Sequence, residues 1–386
     1  AITCTWADHQ INVIDTPGHI DFTAEVQRAL RVLDGGVVVF DGVAGVEPQS
    51  ETVWHQADRY KVPRICFVNK LDRVGADLDH VVSTIRSRLK AHPLVVQMPV
   101  GRESDLSGIV DLVNMQQMTF GSDPDAEPSV GAIADELLPE VERRRDELIE
   151  QLADLDDDIA TAFLEDEELS SEALSAALRR ATCHGAGVPV LCGSALRNLG
   201  VPWLLDAVVA YLPSPLDVDP MIGHPLGSDE QIVCQPDDNE PLAALIFKIS
   251  SDPFVGKLSF LRVYSGVARR GDTVYDASTG KSERIGRLVR MHADHREEVE
   301  EIHAGDIGAV LGFKMARTGQ TLCTPEREVM LEEISFPAPV IEMSVKPANR
   351  GDQDKLDVAL GRLAEEDPTL HVHTDERTEE TTIAGM

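Results

Sequence analysis

The sequence predicts an α/β domain built on a parallel sheet, then a small β-barrel, then a short α+β segment. In residues 11–91, short apolar runs alternate with amphipathic stretches, the pattern of parallel strands joined by crossover helices. In residues 242–323, many short alternating runs are separated by turns that contain Gly and Asp, which favours a barrel. The third region, from Val340 onward, has the order strand, helix, strand, strand. The fold class follows from these changes in the period of hydrophobicity.

The predicted parallel sheet begins as three strand–helix units. Its strands are expected at 11–14, 37–40 and 65–68, and its helices at 22–33, 49–60 and 78–90. A fourth strand of the same sheet, at 188–192, leads into an amphipathic helix through Leu204 and Val208. The residues between, about 95–187, predict an inserted α+β subdomain that starts with short strands at 95–100 and 108–113. In this insert, residues 135–172 include sixteen acidic and three basic side chains, which suits either solvated helix faces or a docking surface.

The domain organisation is predicted from these changes of pattern. We expect a first domain at 1–212 that contains the insert, a linker rich in Pro, Gly and Asp at 213–240, a β-barrel domain at 241–332, and part of an α+β domain at 333–386. In the last domain the strands are expected at 340–346, 370–374 and 381–384, with a helix at 353–365. Because the chain begins without Met and stops within a predicted strand, we expect a piece of a longer protein.

Charge and cysteine content narrow the classes of function. The 386 residues carry a formal net charge of −32, which argues against binding DNA or RNA through a broad cationic face and still allows local basic patches. The six cysteines form no C-x-x-C pair, so neither a zinc site nor a disulfide framework is expected. No stretch approaches the roughly 18 apolar residues of a membrane span, and no signal peptide is recognisable. We expect a cytoplasmic protein that does not bind membranes.

Polar motifs follow the predicted strands at the carboxyl end of the sheet, where open α/β sheets bind their ligands. These motifs are Asp15, Thr16, Pro17, Gly18 and His19 after the first strand, Asp41 and Gly42 after the second, Asn69, Lys70, Leu71 and Asp72 after the third, and Gly193, Ser194 and Ala195 after the fourth. The sequence therefore predicts a ligand site at this edge.

The pattern Asn69-Lys70-x-Asp72 has the clearest ligand chemistry. A carboxylate at position 72 can accept hydrogen bonds from both the ring N–H and the exocyclic amine of guanine, a pair of donors that adenine lacks. Asn69 can bond the base from the other side and stabilise the loop, and the stem of Lys70 can pack over the ring and the sugar. Ser194 and Ala195 could add backbone contacts to the guanine carbonyl. The alternative is an ordinary polar loop.

The pattern Asp15-x-x-Gly18 suits the phosphate end of a nucleotide. Asp15 can bind Mg²⁺ through water, and the N–H of Gly18 can approach a γ-phosphate closely because glycine has no side chain. A neutral His19 could hold the attacking water in line, and the alternative is an exposed loop histidine.

A phosphate-binding loop of the form G-x-x-x-x-G-K-[S/T] does not occur in the sequence. The nearest match, Gly280-Lys281-Ser282, has Tyr275 where the first glycine belongs and lies in the predicted barrel, so we interpret it as a turn.

Several stretches closely resemble the elongation factor G family of translational GTPases. They are residues 11–23 with Glu25 and Val26, then 31–35, 45–54 and 61–65, and further along 252–256, 262–266, 291–292, 304–306 and 374–376. The resemblance covers essentially the whole chain, least closely in the acidic insert. Leu71 stands where the family more often has Met, a volume-conserving difference.

This resemblance implies a G domain of the P-loop NTPase type with an inserted α+β subdomain, followed by a β-barrel domain and a partial, ferredoxin-like α+β domain. It implies that the phosphate-binding loop, the first switch and the C-terminal domains lie outside this chain, which alone is expected to be inactive. The nucleotide-binding residues it implies are Asp15, Thr16, Pro17, Gly18, His19, Asn69, Lys70, Asp72, Ser194 and Ala195. Among them, His19 is catalytic and Asp15 faces Mg²⁺ through water.

The resemblance also implies a ribosome-stimulated GTPase that binds GTP, GDP and Mg²⁺, translocates tRNA and mRNA, and assists ribosome recycling. The insert would face the stalk proteins, the barrel would approach small-subunit RNA, and the sarcin–ricin loop would position His19. The protein would act as a monomer and contact tRNA and mRNA indirectly. Open alternatives are a GTPase that removes release factors, a ribosomal protection protein, a recycling paralogue, and a ribosome-docking module without hydrolysis; residues 31–35 and 49–54 favour the elongation factor.

Overall fold

A computed structural model describes residues 1–16, 23–121, 128–165, 167–252, 256–277, 279–292, 295–314, 316–331, 339, 341–347, 349–367, 369–374 and 381–385. Contacts divide the chain into two compact units. We call Leu33–Ser214 the α/β unit, and Ala1–Val32 together with Pro215–Met386 the β-rich unit.

The helices of the described residues alternate with strands in the α/β unit and are sparse in the β-rich unit. They are α1 (Thr23–Arg31), α2 (Pro48–Arg59), α3 (Leu78–Arg88), α4 (Leu138–Ala153), α5 (Asp157–Leu164), α6 (Ser171–Cys183), α7 (Val201–Tyr211) and α8 (Gln353–Glu366). Several begin where the sequence supplies a side-chain cap, since Asp77, Asp156 and Ser170 each accept a hydrogen bond from the first turn of α3, α5 and α6.

The strands are short and most of them are antiparallel. They are β1 (Ile2–Trp6), β2 (His9–Val13), β3 (Gly36–Asp41), β4 (Arg64–Asn69), β5 (Pro93–Val95), β6 (Gln97–Val100), β7 (Gly108–Asp111), β8 (Gln116–Thr119), β9 (Ser129–Gly131), β10 (Val188–Cys192), β11 (Met221–His224), β12 (Ile232–Cys234), β13 (Ala243–Asp252), β14 (Gly256–Ser265), β15 (Ala268–Arg269), β16 (Thr273–Asp276), β17 (Lys281–Arg284), β18 (Arg287–His292), β19 (His295–Val299), β20 (Glu301–Ile302), β21 (Ile307–Leu311), β22 (Thr321–Cys323), β23 (Met330–Leu331), β24 (Ile341–Val345), β25 (His371–Thr374) and β26 (Thr381–Gly385).

The α/β unit is built on a parallel sheet with the strand order β3-β4-β10-β5. Its central strands are apolar and fully enclosed, as Ile65, Phe67 and Val190 show, because helices cover both faces. The insert adds an antiparallel sheet, β6-β7-β8-β9, and the helices α4, α5 and α6. The strands expected at 37–40, 65–68 and 188–192, with the helices after them, are confirmed.

The β-rich unit centres on an antiparallel sheet in the order β17-β16-β22-β13-β14-β21-β18-β19, which the alternating runs of the sequence predict. Gly280-Lys281-Ser282 lies at the hairpin between β16 and β17, as expected of a turn. The last region has the predicted order, since β24, α8, β25 and β26 follow one another and the strands pair as β24-β26-β25.

The strand expected at 11–14 forms, but its assignment to the parallel sheet is wrong. It runs over His9–Val13 and pairs antiparallel with Ile2–Trp6 in a two-stranded sheet of its own. The reason is local, because Ala7 and Asp8 both have positive φ, 45° and 60°, the geometry of a two-residue hairpin turn. Alternating apolar residues show that a strand forms without showing which strand it pairs with.

The structure adds detail to two smaller expectations. The predicted linker at 213–240 contains β11 and β12, which pair with each other, and β11 also pairs with β23. Strands of three or four residues are too short to show a period among the Pro, Gly and Asp of that segment. The run at 95–100 is divided at Val96 between two sheets, because β5 joins the parallel sheet and β6 starts the insert.

Candidate functional site

The carboxyl ends of three parallel strands bring the predicted base-binding residues of the α/β unit to one edge. Asp41 ends β3 and is paired in register with Asn69, which ends β4. Cys192 ends β10 and is paired with Val68, so that Gly193 follows beside Asn69. The Gly193 N–H donates to the Val68 carbonyl at 2.9 Å. The register of the sheet therefore fixes where the loops after these strands begin.

The side chain of Asn69 joins the two loops on which the guanine prediction depends. Its Oδ1 accepts a hydrogen bond from the Lys70 N–H at 2.8 Å and a second from the Ala195 N–H, also at 2.8 Å. An amide oxygen has two lone pairs, and both are used here. Asn69 thus stabilises the loop as predicted, and only its NH₂ group is left to face a base.

Asp72 lies in the turn after β4 with a partly exposed side chain. No hydrogen bond or ion pair from the described part of the chain reaches its carboxylate. It does not cap the following helix, because Asp77 is the N-cap of α3 and accepts from the His80 N–H at 2.9 Å. A capping role at the helix is therefore ruled out for Asp72, and its oxygens remain available to donors of a ligand.

Lys70 has a left-handed backbone, with φ of 63°, and its side chain reaches back to the end of the neighbouring strand. Its Nζ lies 2.7 Å from Asp41 Oδ2. The lysine is 40% exposed and the aspartate 19% exposed. The ammonium group is thus held against the protein at the edge where the base is expected.

Ser194 and Ala195 form a tight turn after β10. Ser194 is buried and exchanges two backbone hydrogen bonds with Leu199, each 2.9 Å long. Only glycine fits at position 193, because a Cβ there would lie 2.2 Å from the Leu199 carbonyl oxygen. The N–H groups of Ser194 and Ala195, which the sequence offers to the guanine carbonyl, both donate to protein acceptors in this structure.

The predicted phosphate-binding residues belong to the β-rich unit. Asp15 and Thr16 follow β2, and Asp15 is exposed. Pro17, Gly18 and His19 lie outside the described residues, so the role predicted for them stays a prediction. A single exposed carboxylate is a hard oxygen donor of the kind that Mg²⁺ accepts alongside waters, so Asp15 fits the ion that the sequence predicts.

The chain on either side of the segment 17–22 is fastened within the β-rich unit. Upstream, Asp306 Oδ1 accepts hydrogen bonds from Gln10 Nε2 at 2.7 Å and Asn12 Nδ2 at 3.0 Å. Asp306 Oδ2 also pairs with Arg290. Downstream, Glu25 of α1 lies 2.6 Å from Lys248 Nζ. The chain before this segment and the chain after it are therefore both held by polar contacts within the β-rich unit.

Two further findings concern the described ranges. Within them, no cluster of three or more His, Cys, Asp or Glu side chains is arranged to hold a metal ion. Their helices are too short or too polar to cross a bilayer.

Comparison with known proteins decides the family. Residues 1–214 match the family model of the elongation factor Tu GTP binding domain, residues 241–325 that of elongation factor G domain 2, and residues 336–386 that of elongation factor G domain III. Proteins named elongation factor G from Thermotoga petrophila and Thermotoga maritima are 52% and 51% identical over all 386 residues. The chain belongs to the elongation factor G family.

Within this family the chain spans only part of its relatives, because it covers 56% of the length of each of these Thermotoga proteins. A crystal structure of a Thermus thermophilus protein superimposes with a TM-score of 0.83 at 28% identity, over 100% of this chain and 55% of that one. The resemblance seen in the sequence and the predicted fold class are both confirmed. The domain boundaries at 212, 240 and 332 stay predictions.

The sequence does not predict the contact that the Asp41 side chain makes with Lys70. The sequence identifies Asp41-Gly42 as one of the polar strand ends and predicts no role for the Asp41 side chain. The sequence shows only an acidic residue at the end of one predicted strand and a lysine just past the end of the next, and it is the observed register of β3 and β4 that brings them together.

Proposed function

We propose that this protein is a GTP-hydrolysing elongation factor that translocates tRNA and mRNA on the ribosome and takes part in ribosome recycling. Family membership supports the class of activity. The observation that supports guanine as the ligand is the loop Asn69–Asp72. Asn69 accepts hydrogen bonds from the backbone of two loops, and the Asp72 carboxylate has no hydrogen-bond partner among the residues that the structure describes. That arrangement suits a base with two adjacent N–H donors.

In the proposed site, Asp72 accepts from the ring N–H and the amine of guanine, the Asn69 NH₂ group bonds the base, and the stem of Lys70 packs against it. The Ser194–Ala195 turn bounds the pocket on the guanine carbonyl side, which requires one of its N–H groups to be shared with the ligand. Ser194 is buried and fixed by Leu199, so this boundary is rigid.

For the phosphate end, we propose that Asp15 binds Mg²⁺ through water and that Thr16, Pro17 and Gly18 approach the γ-phosphate. His19 is the proposed catalytic residue, which holds the attacking water in line while neutral. Mg²⁺ would neutralise charge on the phosphate oxygens during transfer. The exposure of Asp15 supports a contact through water.

The proposed partner is the ribosome. The sarcin–ricin loop would position His19, the barrel would contact small-subunit RNA, and the acidic insert would face the stalk proteins, while tRNA and mRNA would be moved indirectly. We propose a cytoplasmic monomer. The insert carries charge suited to a basic partner, since α4, α5 and the start of α6 present many exposed carboxylates.

The test uses the full-length protein and purified ribosomes. His19→Ala is expected to lower ribosome-stimulated GTP hydrolysis by roughly 100-fold or more while nucleotide affinity stays nearly the same, because a positioned catalytic group is lost. His55→Ala is the control, since His55 is an exposed residue of α2 with its side chain 67% exposed. Equal loss of binding and hydrolysis would make His19 a structural residue.

The same experiment separates the alternatives. A wild-type protein that binds ribosomes and shows no stimulated hydrolysis would be a docking module, and the proposal would be wrong. Stimulated hydrolysis with subunit splitting but without tRNA movement would assign it to the recycling paralogues.

A further inference from the structure

Asp41 uses its two carboxylate oxygens for two different purposes. Oδ1 accepts hydrogen bonds from the N–H groups of Val43 and Ala44, at 2.9 and 3.2 Å, and so closes the turn after β3. Oδ2 lies 2.7 Å from Lys70 Nζ. The turn needs only Oδ1, because this one oxygen accepts both hydrogen bonds. The second oxygen faces a residue of the proposed base-binding loop.

Lys70 is fixed at both ends by these contacts. At the backbone end, its N–H donates to Asn69 Oδ1 at 2.8 Å and its φ is 63°, a conformation that is uncommon for a residue with a side chain. At the far end, the ammonium is tethered to Asp41 on the neighbouring strand. The four-carbon stem therefore runs along the ligand edge of the sheet, from the end of β4 to the end of β3.

The Asp41 carboxyl is ionised at neutral pH. The hydrogen bond from Lys70 is the largest effect on the Asp41 carboxyl and lowers its pKa to about 2, against the opposing effect of partial burial. Arg73 Nη1 lies 4.0 Å from Asp41 Oδ2 and adds positive charge beside the carboxylate. The Lys70 charge is thus balanced within the protein, which leaves its apolar stem as the part offered to a ligand.

We propose that Asp41 is a positioning residue for the guanine nucleotide, acting through Lys70 by holding the lysine stem in the place where the base binds. This inference rests on the proposed function, because it concerns the same guanine site. A free lysine side chain would lose conformational entropy when a ligand binds. The ion pair with Asp41 orders the lysine stem beforehand, so this entropy is not lost on binding. Asp41 itself touches no ligand.

The test measures dissociation constants of GTP and GDP for the full-length protein with fluorescent nucleotides in stopped flow. Asp41→Asn keeps the acceptor at Oδ1 and replaces Oδ2 by a donor that faces the ammonium. Both dissociation constants are expected to rise about two- to fivefold, the range for loss of a partly exposed ion pair. Asp41→Glu, which can still reach Lys70, is expected to retain wild-type affinity.

A second background separates positioning from a structural role. With Lys70→Gln already present, Asp41→Asn is expected to change the dissociation constants no further, because Asp41 would act only through the lysine. The control is Glu51→Gln, which breaks a similar ion pair in the same unit, where Glu51 Oε1 lies 2.6 Å from Arg88 Nε. The control is expected to leave nucleotide affinity unchanged.

The outcomes are distinct. If Asp41→Asn raises the dissociation constants equally in the presence of Lys70 and of Lys70→Gln, Asp41 acts through the turn after β3 and not through the lysine. If Asp41→Asn leaves the dissociation constants of the otherwise wild-type protein unchanged, the inference is wrong. Neither of these results contradicts the proposed guanine site. If the wild-type protein binds no guanine nucleotide, both the proposed function and the inference about Asp41 are wrong. If Asp41→Asn does not fold, Asp41→Ser takes its place, since a hydroxyl can also accept from the Val43 N–H.

Discussion

Replacing Asp72 by Asn should change which base the protein prefers. If the carboxylate accepts from the ring N–H and the amine of guanine, Asp72→Asn turns one acceptor into a donor and sets it against the guanine amine. The structure makes this residue the one to test. Asn69 Oδ1 is occupied by two N–H groups, and the Asp72 carboxylate has no hydrogen-bond partner among the described residues. We therefore expect the choice between bases to depend on Asp72.

The size of the effect follows from the cost of the lost interaction. Losing a hydrogen bond to a charged group costs about 1.5 to 3 kcal/mol, so GTP affinity should fall by roughly 10- to 100-fold or more. Xanthine has a carbonyl where guanine has its amine, so the new amide donor can pair with it. Xanthosine triphosphate should become the better ligand, which a general loss of stability would not produce.

The assay is competition between the two nucleotides for the full-length variant, with Asp77→Asn as the matched control. Asp77 is also an aspartate close to the loop, but it caps α3, and Asn caps a helix about as well. The control should keep its preference for GTP. If the Asp72→Asn variant prefers GTP over xanthosine triphosphate by the same ratio as the wild-type protein, Asp72 does not bind the base and the assignment of the loop is wrong.

Three further outcomes are expected. The 386-residue chain alone should bind GTP more weakly than micromolar, because its sequence holds no G-x-x-x-x-G-K-[S/T] loop for the phosphates, and micromolar binding in calorimetry would contradict this. Cys66 and Cys192 should resist alkylation at pH 8 in the native protein, since burial raises the pKa of each thiol to about 12, and modification before unfolding would disprove it. Hydrogen exchange should be faster in strands β24–β26 than in β13 and β14, because Ile341 and Met343 are 60% and 62% exposed, and equal protection would refute that reasoning.

The parallel strands and the position of the Asn69–Asp72 loop at their carboxyl edge could be predicted because their signals are local. Apolar runs that are enclosed on both faces are continuous in the sequence, as at 65–68, and the turn residues follow each run at once. The Asn69–Asp72 loop combines three polar residues with a fixed spacing whose chemistry can be worked out residue by residue. Its position at the sheet edge then follows from the strand that precedes it.

The pairing of strands could not be predicted in the same way. The residues of β2 alternate as they would beside any partner. The chain turns back onto β1 through the positive φ of Ala7 and Asp8, a conformation that is uncommon for residues other than glycine. The contact between Asp41 and Lys70 joins residues 29 positions apart and exists only because β3 and β4 are in register. Periodicity shows that both strands form and contains no information about their register.

The contacts around Asp306 show the same limit over a longer distance. Gln10 and Asn12 donate to this carboxylate from 296 and 294 positions away along the chain, and Arg290 balances its charge. In the sequence, Asp306 belongs to an ordinary Ala-Gly-Asp turn, and Gln10 is one polar residue of a short strand. Only the fold shows that the strand leading to Asp15 is held by the large antiparallel sheet, because the partners of a buried carboxylate are chosen by packing and are not encoded by spacing. The sequence thus predicts a chemistry for the Asp15–His19 motif, whereas it does not show what supports the strand that leads to Asp15.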